Sequence, residues 1–183
     1  MAFGMVTRLR RAGWTSAAWM LATILAALAL TVAALAASLP QPEGRPLLEI
    51  SGRITATNRN AAAVFDRAML EKLGLRTLRT GTAWTDGVKV FEGVLVRDLL
   101  AAVGAERATM MRAVALNDYV VDIPLSDFQR YDAIIALSMD GRELTARDKG
   151  PLWIVYPRDQ FGELQDERYD ARWIWQLKQL ILS

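Results

Sequence analysis

Cysteine and histidine are both absent from the 183-residue chain, so its chemistry rests on carboxylates, hydroxyls, lysines, arginines and aromatic faces. That excludes thiolate–imidazole zinc centres, serine or cysteine nucleophiles with a histidine base, and histidine-ligated haem. No paired-carboxylate or calcium-loop spacing stands out, and no residue is assigned a catalytic role. Carboxylate metal sites and acid–base work stay open, and the candidate binding chemistry is concentrated in three short segments. In TGTAWTDG, residues 80–87, Trp84 offers a stacking face with Thr82, Thr85 and Asp86 beside it. In Asn117-Asp118-Tyr119 an amide, a carboxylate and an aromatic ring follow one another in an expected strand-end turn. In YPRD, Tyr156 and Arg158 come at the end of an apolar strand, where side chains are rigidly mounted. Each segment also has a purely structural reading that the sequence leaves open. Trp84 would plug its loop onto the core, Asp86-Gly87 and Asn117-Asp118 would make turns, and Arg158 would pair with Asp159 in solvent. Trp153, Trp173 and Trp175 read as core, Glu92 and Asp98 as flanking a helix start, and Arg76, Arg79, Arg107 and Arg112 as surface.

The elements that must position these residues follow from periodicity. LLEISGRIT reads as a first strand from Leu47. Phe65, Met69, Leu70 and Leu73 share a helical face that stops at Gly74, a good C-cap residue. LRTLRT then reads as a short strand entering a TGTAWTDG loop. Val96, Leu99, Leu100 and Val103 give the i, i+3, i+4, i+7 stripe of an amphipathic helix closed by Gly104. ATMMRAVAL and YVVDIP read as strands bent at Asn117-Asp118, and Ser126 with Gln129 as a capping box for a short helix. Asp140-Gly141 is a hairpin signal between AIIALSM and RELT. LWIVY is an apolar strand ended by Pro157, and ARWIWQLKQLILS is read as a strand. Short strands with interspersed short helices and no strict βαβ alternation define an α+β domain on a mixed, mainly antiparallel sheet.

Ahead of that domain, Ala17–Ala37 is a run of 21 residues, apolar except for Thr23 and Thr31, behind the basic flank Arg8, Arg10 and Arg11. It exceeds the roughly 7 to 15 residues of a usual signal core and approaches the ~20 that span a bilayer. Ala34-Leu35-Ala36 offers a cleavage site. Residues 1–40 are therefore expected to be a signal peptide or membrane anchor, 41–46 (QPEGRP) a linker and 47–183 the domain. Either fate of the leader places the domain in the periplasm, secreted or tethered to the inner membrane. No acidic residue precedes Glu43, so the exported part is close to neutral although the whole chain carries +2. This removes the electrostatic basis for nucleic-acid binding.

FEGVLVRDLL (Phe91–Leu100), NDYVVDIP (Asn117–Pro124), DGREL (Asp140–Leu144) and GPLWIVYP (Gly150–Pro157) occur in an order and spacing that resembles the oxidoreductase molybdopterin-binding domain, the sulfite-oxidase fold. The resemblance covers about residues 47 to 183 and implies a sulfite-oxidase-like α+β fold with a pocket for a pterin. In that family a cysteine thiolate binds molybdenum and a basic constellation handles oxyanion substrates. The corresponding region here offers Thr82, Ala83, Trp84 and Thr85, none a soft ligand. The chain is similar to a short exported branch of the family, whose representatives bind reduced pterins in the periplasm and signal to a membrane-bound cyclic-di-GMP enzyme.

A pterin needs a flat partner and a carboxylate. An aromatic face supplies roughly 1 to 3 kcal/mol of stacking, an ionised Asp accepts two adjacent N–H donors, and an Arg donates to the carbonyl or tail. Thr82, Trp84, Thr85, Asp86, Asn117, Asp118, Tyr119, Tyr156 and Arg158 are the candidates to hold a reduced pterin or molybdopterin-like ligand, with no protein-ligated molybdenum. The expected partners are the pterin, a membrane-bound signalling protein, and the membrane itself if the leader is uncleaved. Two alternatives stand beside this reading. One is a molybdopterin-dependent oxidoreductase, or its subunit, that keeps the cofactor without a cysteine ligand; the other is an envelope interaction domain with a closed pocket.

Overall fold

Residues 39–183 are described by the computed structural model; the expected leader lies outside the described residues. Strand β1 (Leu48–Gly52) alternates as its sequence does, with Leu48 and Ile50 fully buried. It pairs antiparallel with β2 (Ala63–Phe65) and parallel with the late strand β10 (Leu177–Leu182). Beyond β10 come β5 (Met110–Ala115) and β6 (Val120–Pro124), giving a five-stranded sheet ordered β2-β1-β10-β5-β6. The second sheet runs β3 (Leu75–Thr82), β4 (Thr85–Leu95), β7 (Ile134–Met139) and β8 (Arg142–Glu143), with β9 (Trp153–Val155) also on β7. Among the described residues, only the β1–β10 pairing is parallel. The mixed, mainly antiparallel α+β architecture expected from the sequence is the one observed.

One buried cluster draws side chains from both sheets, including Ile50, Leu180 and Met111 from the first and Phe91, Val94, Ile135 and Trp153 from the second. Phe91 meets Trp153 edge-on at 5.3 Å between ring centroids. The β4–β7 contact depends on Gly93, because a Cβ there would lie 2.1 Å from the Ile135 carbonyl oxygen. The β7–β8 hairpin turns on Asp140 and Gly141, both with positive φ (51° and 73°), which is the backbone that an Asp-Gly pair tolerates.

Helices are short. In α1 (Arg67–Lys72) the Asp66 carboxylate accepts from the Met69 amide at 2.9 Å, and its other oxygen accepts from the amides of Glu43 and Gly44 at 2.9 and 2.7 Å. The segment expected as a linker is thus hydrogen-bonded to the domain. Phe65, expected on this helix, belongs to β2 instead, because Asp66 takes an extended cap conformation and starts the helix after it. Helix α2 (Val96–Ala102) buries Val96 and Leu99 as its stripe requires. In α3 (Ser126–Arg130) the expected Ser126–Gln129 capping box does not form. Leu125 already has helical dihedrals, so Ser126 is inside the helix and cannot act as an extended cap. A final short helix, α4 (Glu167–Asp170), is capped by the Asp166 side chain. The C-terminal run forms a strand only from Leu177. Residues 173–176 lie beside β9 instead, where Ile154 N–H donates to the Ile174 carbonyl and Leu177 N–H to the Leu152 carbonyl.

Candidate functional site

TGTAWTDG proves to be a tight hairpin tip rather than a loop: β3 runs to Thr82, β4 starts at Thr85, and only Ala83 and Trp84 turn. The two threonines build this turn. Their hydroxyls are 2.8 Å apart, and Thr82 Oγ1 also accepts from the Trp84 amide at 3.0 Å. Thr82 and Thr85 therefore position Trp84. Its half-buried indole lies 5.9 Å from the ring of Trp173 and 5.4 Å, edge-on, from that of Trp175.

Across from the tip stands the β5–β6 turn. Asn117 Oδ1 accepts from the Tyr119 amide at 3.2 Å, and the Tyr119 hydroxyl reaches the Ala171 carbonyl at 3.5 Å. Between tip and turn is a cleft of about 250 Å³, lined by Trp84, Ala115, Asn117, Tyr119 and the stretch Asp170–Ala171 and Trp173–Trp175. Two polar atoms in its walls, Asp170 Oδ1 and Trp173 Nε1, are buried without a hydrogen-bond partner. Such atoms carry a desolvation cost that a ligand can relieve. A slot walled by indoles and a phenol, with one carboxylate, one amide and one unpaired N–H, suits a flat heteroaromatic with N–H donors and a carbonyl. A larger open groove of about 800 Å³ between residues 43–49 and α1 mixes both charge signs but has no aromatic side chain in its lining.

Of the sequence-derived candidates, the structure brings Trp84, Asn117 and Tyr119 together around this cleft and sets Thr82 and Thr85 behind Trp84. The others lie elsewhere. Asp86 is exposed on β4. Asp118 has φ 63° and binds Lys178 at 2.7 Å, which holds its carboxyl below the usual range. Tyr156 is fully buried; its hydroxyl donates to Asp127 Oδ2 at 3.0 Å, and burial, with the Asp127 charge, pushes the phenol well up. Arg172 Nη1 donates to the same oxygen at 2.5 Å. Arg158 donates to the Gln165 carbonyl at 3.4 Å, and its Nε is buried without a partner. Next to it, Asp159 accepts from the Gly81 amide at 2.7 Å, so the YPRD corner braces the β3–β4 hairpin.

Sequence reasoning missed Asp170 as a wall residue and assigned Trp173 and Trp175 to the core. Trp173 is buried as expected, yet it and the half-buried Trp175 also face the cleft. The spacing gave no signal for this, since residues i and i+2 of a strand share one face and residues 173–176 lie outside β10. Among the described residues no cluster of three His, Cys, Asp or Glu side chains could hold a metal ion.

Two sheets sharing a core, with an indole-walled cleft between the β3–β4 and β5–β6 turns, define a mixed α+β domain. Residues 26–163 match the model of the oxidoreductase molybdopterin binding domain, and the chain belongs to that family. Among solved structures it resembles the sulfane dehydrogenase SoxCD from Paracoccus pantotrophus, with a TM-score of 0.56 and 17% identity over 74% of this chain and 37% of that one. The likeness is one of fold, and this chain spans well under half of that neighbour. A comparison with curated proteins finds no match. The pterin ring implied by the family fits the cleft, whose unpaired Asp170 oxygen and Trp173 N–H match the edge of an amino-pyrimidinone. The family's thiolate ligand has no counterpart, because the sequence contains no cysteine.

Proposed function

We propose that this domain is an exported pterin-binding module without protein-ligated molybdenum, which reports ligand occupancy to a membrane-bound cyclic-di-GMP enzyme. The observation that carries the binding half is the aromatic cleft with its unpartnered carboxylate oxygen on Asp170. Trp84, Tyr119 and Trp175 would stack on or flank the ring. Asp170 would accept the adjacent N–H donors of the amino-pyrimidinone after a small rotation of its carboxylate, and Asn117 and Trp173 would orient the remaining polar edge. A reduced pterin supplies ring N–H donors that its oxidised form loses, so the slot can distinguish the two states. The export and signalling halves are supported by the apolar segment Ala17–Ala37 and by the resemblance to the short exported branch of the family.

The full-length chain in detergent, titrated with dihydroneopterin by calorimetry and tryptophan fluorescence, is expected to bind in the micromolar range and to quench the cleft indoles. A folded protein that shows no binding at high micromolar ligand overturns the proposal. Stoichiometric molybdenum in protein from a molybdenum-competent host would replace it with the oxidoreductase alternative.

A further inference from the structure

From the cleft wall a file of aromatic rings runs into the domain. Between ring centroids, Trp84 lies 5.9 Å from Trp173, Trp173 lies 6.0 Å from Tyr156, Tyr156 lies 6.2 Å from Tyr131, and Tyr131 lies 6.1 Å from Tyr169. Every step is within the contact range of aromatic pairs. Trp84 and Tyr169 are half-buried at the two ends, and the three rings between them are buried. Packing accounts for the contacts, but the file is also ordered by chemistry, with indoles at the cleft and phenols beyond it. Trp173 Nε1 has no protein acceptor, so an oxidised Trp173 keeps its proton and remains a strong oxidant. The Tyr156 hydroxyl donates to Asp127 Oδ2 at 3.0 Å, and the Tyr131 hydroxyl to Glu163 Oε1 at 3.2 Å. A phenol that hands its proton to a carboxylate as it loses an electron is easier to oxidise than an indole that keeps its own. Electron tunnelling falls off exponentially with distance, so ring-to-ring steps outrun one long step.

We infer that this file is a redox relay, which carries an oxidising equivalent from the cleft to the Tyr131–Tyr169 end of the domain. An electron leaves Trp84 for a one-electron oxidant in the cleft, an aromatic heterocycle in its photoexcited or radical state, which is reduced by one electron. Trp173 then reduces Trp84. Tyr156 reduces Trp173 while its hydroxyl proton moves to Asp127 Oδ2. Tyr131 next reduces Tyr156, which takes its proton back, and the Tyr131 proton passes to Glu163 Oε1. A one-electron reductant of the thiolate or enediol class, meeting the half-buried Tyr169 against which Tyr131 packs, returns the electron, and Tyr131 recovers its proton from Glu163. The relay discharges the cleft before its own indoles are consumed.

The chain has no cysteine and four tyrosines, which makes the relay directly testable. Tyr119, at the cleft itself, is removed as Tyr119→Phe, and Asp86→Cys, exposed on β4 beside Trp84, carries a ruthenium polypyridyl photooxidant. The full-length protein in detergent is irradiated with an irreversible electron acceptor, and radicals are read by electron paramagnetic resonance. A tyrosyl radical is expected in this parent. Trp173→Phe, which keeps an aromatic ring in place, should abolish it, and Tyr156→Phe should replace it with a tryptophan radical; circular dichroism checks that both remain folded. No tyrosyl radical in the parent, a measurement that needs no core substitution, overturns the inference. So does a tyrosyl signal of undiminished size in either folded variant. No pterin enters the experiment, so its outcome is separate from that of the binding proposal.

Discussion

In the proposed binding mode Trp84 supplies a face and Asp170 an edge, and replacing each separates the two. Trp84 is half-buried at a turn held by Thr82 and Thr85, so Trp84→Ala is expected to leave the fold in place. It should weaken pterin binding by about tenfold or more, from a stacking contribution of ~1–3 kcal/mol. Asp170→Asn replaces a carboxylate by an amide of the same shape and is expected to cost a similar factor with the melting temperature unchanged. Calorimetry beside thermal unfolding checks both. Asp127 behaves differently. Its carboxylate, nearly buried, receives both the Tyr156 hydroxyl and the Arg172 guanidinium. Asp127→Ala strands both donors and is expected to destabilise the domain by ~3 kcal/mol. Denaturant unfolding would show this as a lower midpoint with the slope unchanged.

At the scale of elements, the segment ahead of β1 is fastened by Asp66, whose carboxyl is held below its ordinary value of 3.8 first by the Gly44 amide and then by that of Met69. A depressed carboxyl stabilises the fold above the unfolded value, and the contribution is lost as pH falls through the folded one. The Glu43 and Gly44 amide resonances are therefore expected to titrate together with a midpoint below 3.8. The same resonances in Asp66→Asn should show no such transition. How much of these elements was legible in the sequence depends on how local their causes are. The Asp140-Gly141 hairpin and the Val96–Ala102 helix were readable because turn chemistry and a 3.6-residue stripe lie within a few residues. The extent of β3 was not, since Thr80-Gly81-Thr82 looks like a loop until β4 and Asp159 supply partners from elsewhere in the chain. Ser126 misled because its cap depends on the helical dihedrals of Leu125, which nothing in the local sequence marks. Asp170 was unreadable for the same reason. In ERYD it resembles a solvated carboxylate, and only the packing of Trp173 and Trp175 against Trp84 gives it a cleft to line.

For the whole molecule, the absence of cysteine means that the domain relies on its core rather than on disulfides. Among the described residues no helix is long and apolar enough to cross a membrane. The order of the first sheet adds a constraint of timing. Residues 177–182 occupy its centre, between β5 and β1, the second of which begins more than half the chain earlier. A chain truncated after Gln176 is expected to remain unfolded by circular dichroism, because β1 and β5 would lose their common neighbour. During synthesis the earlier strands must wait for this late segment before they gain their common neighbour. The position of β10 thus defers closure of the first sheet until residues 177–182 have been made.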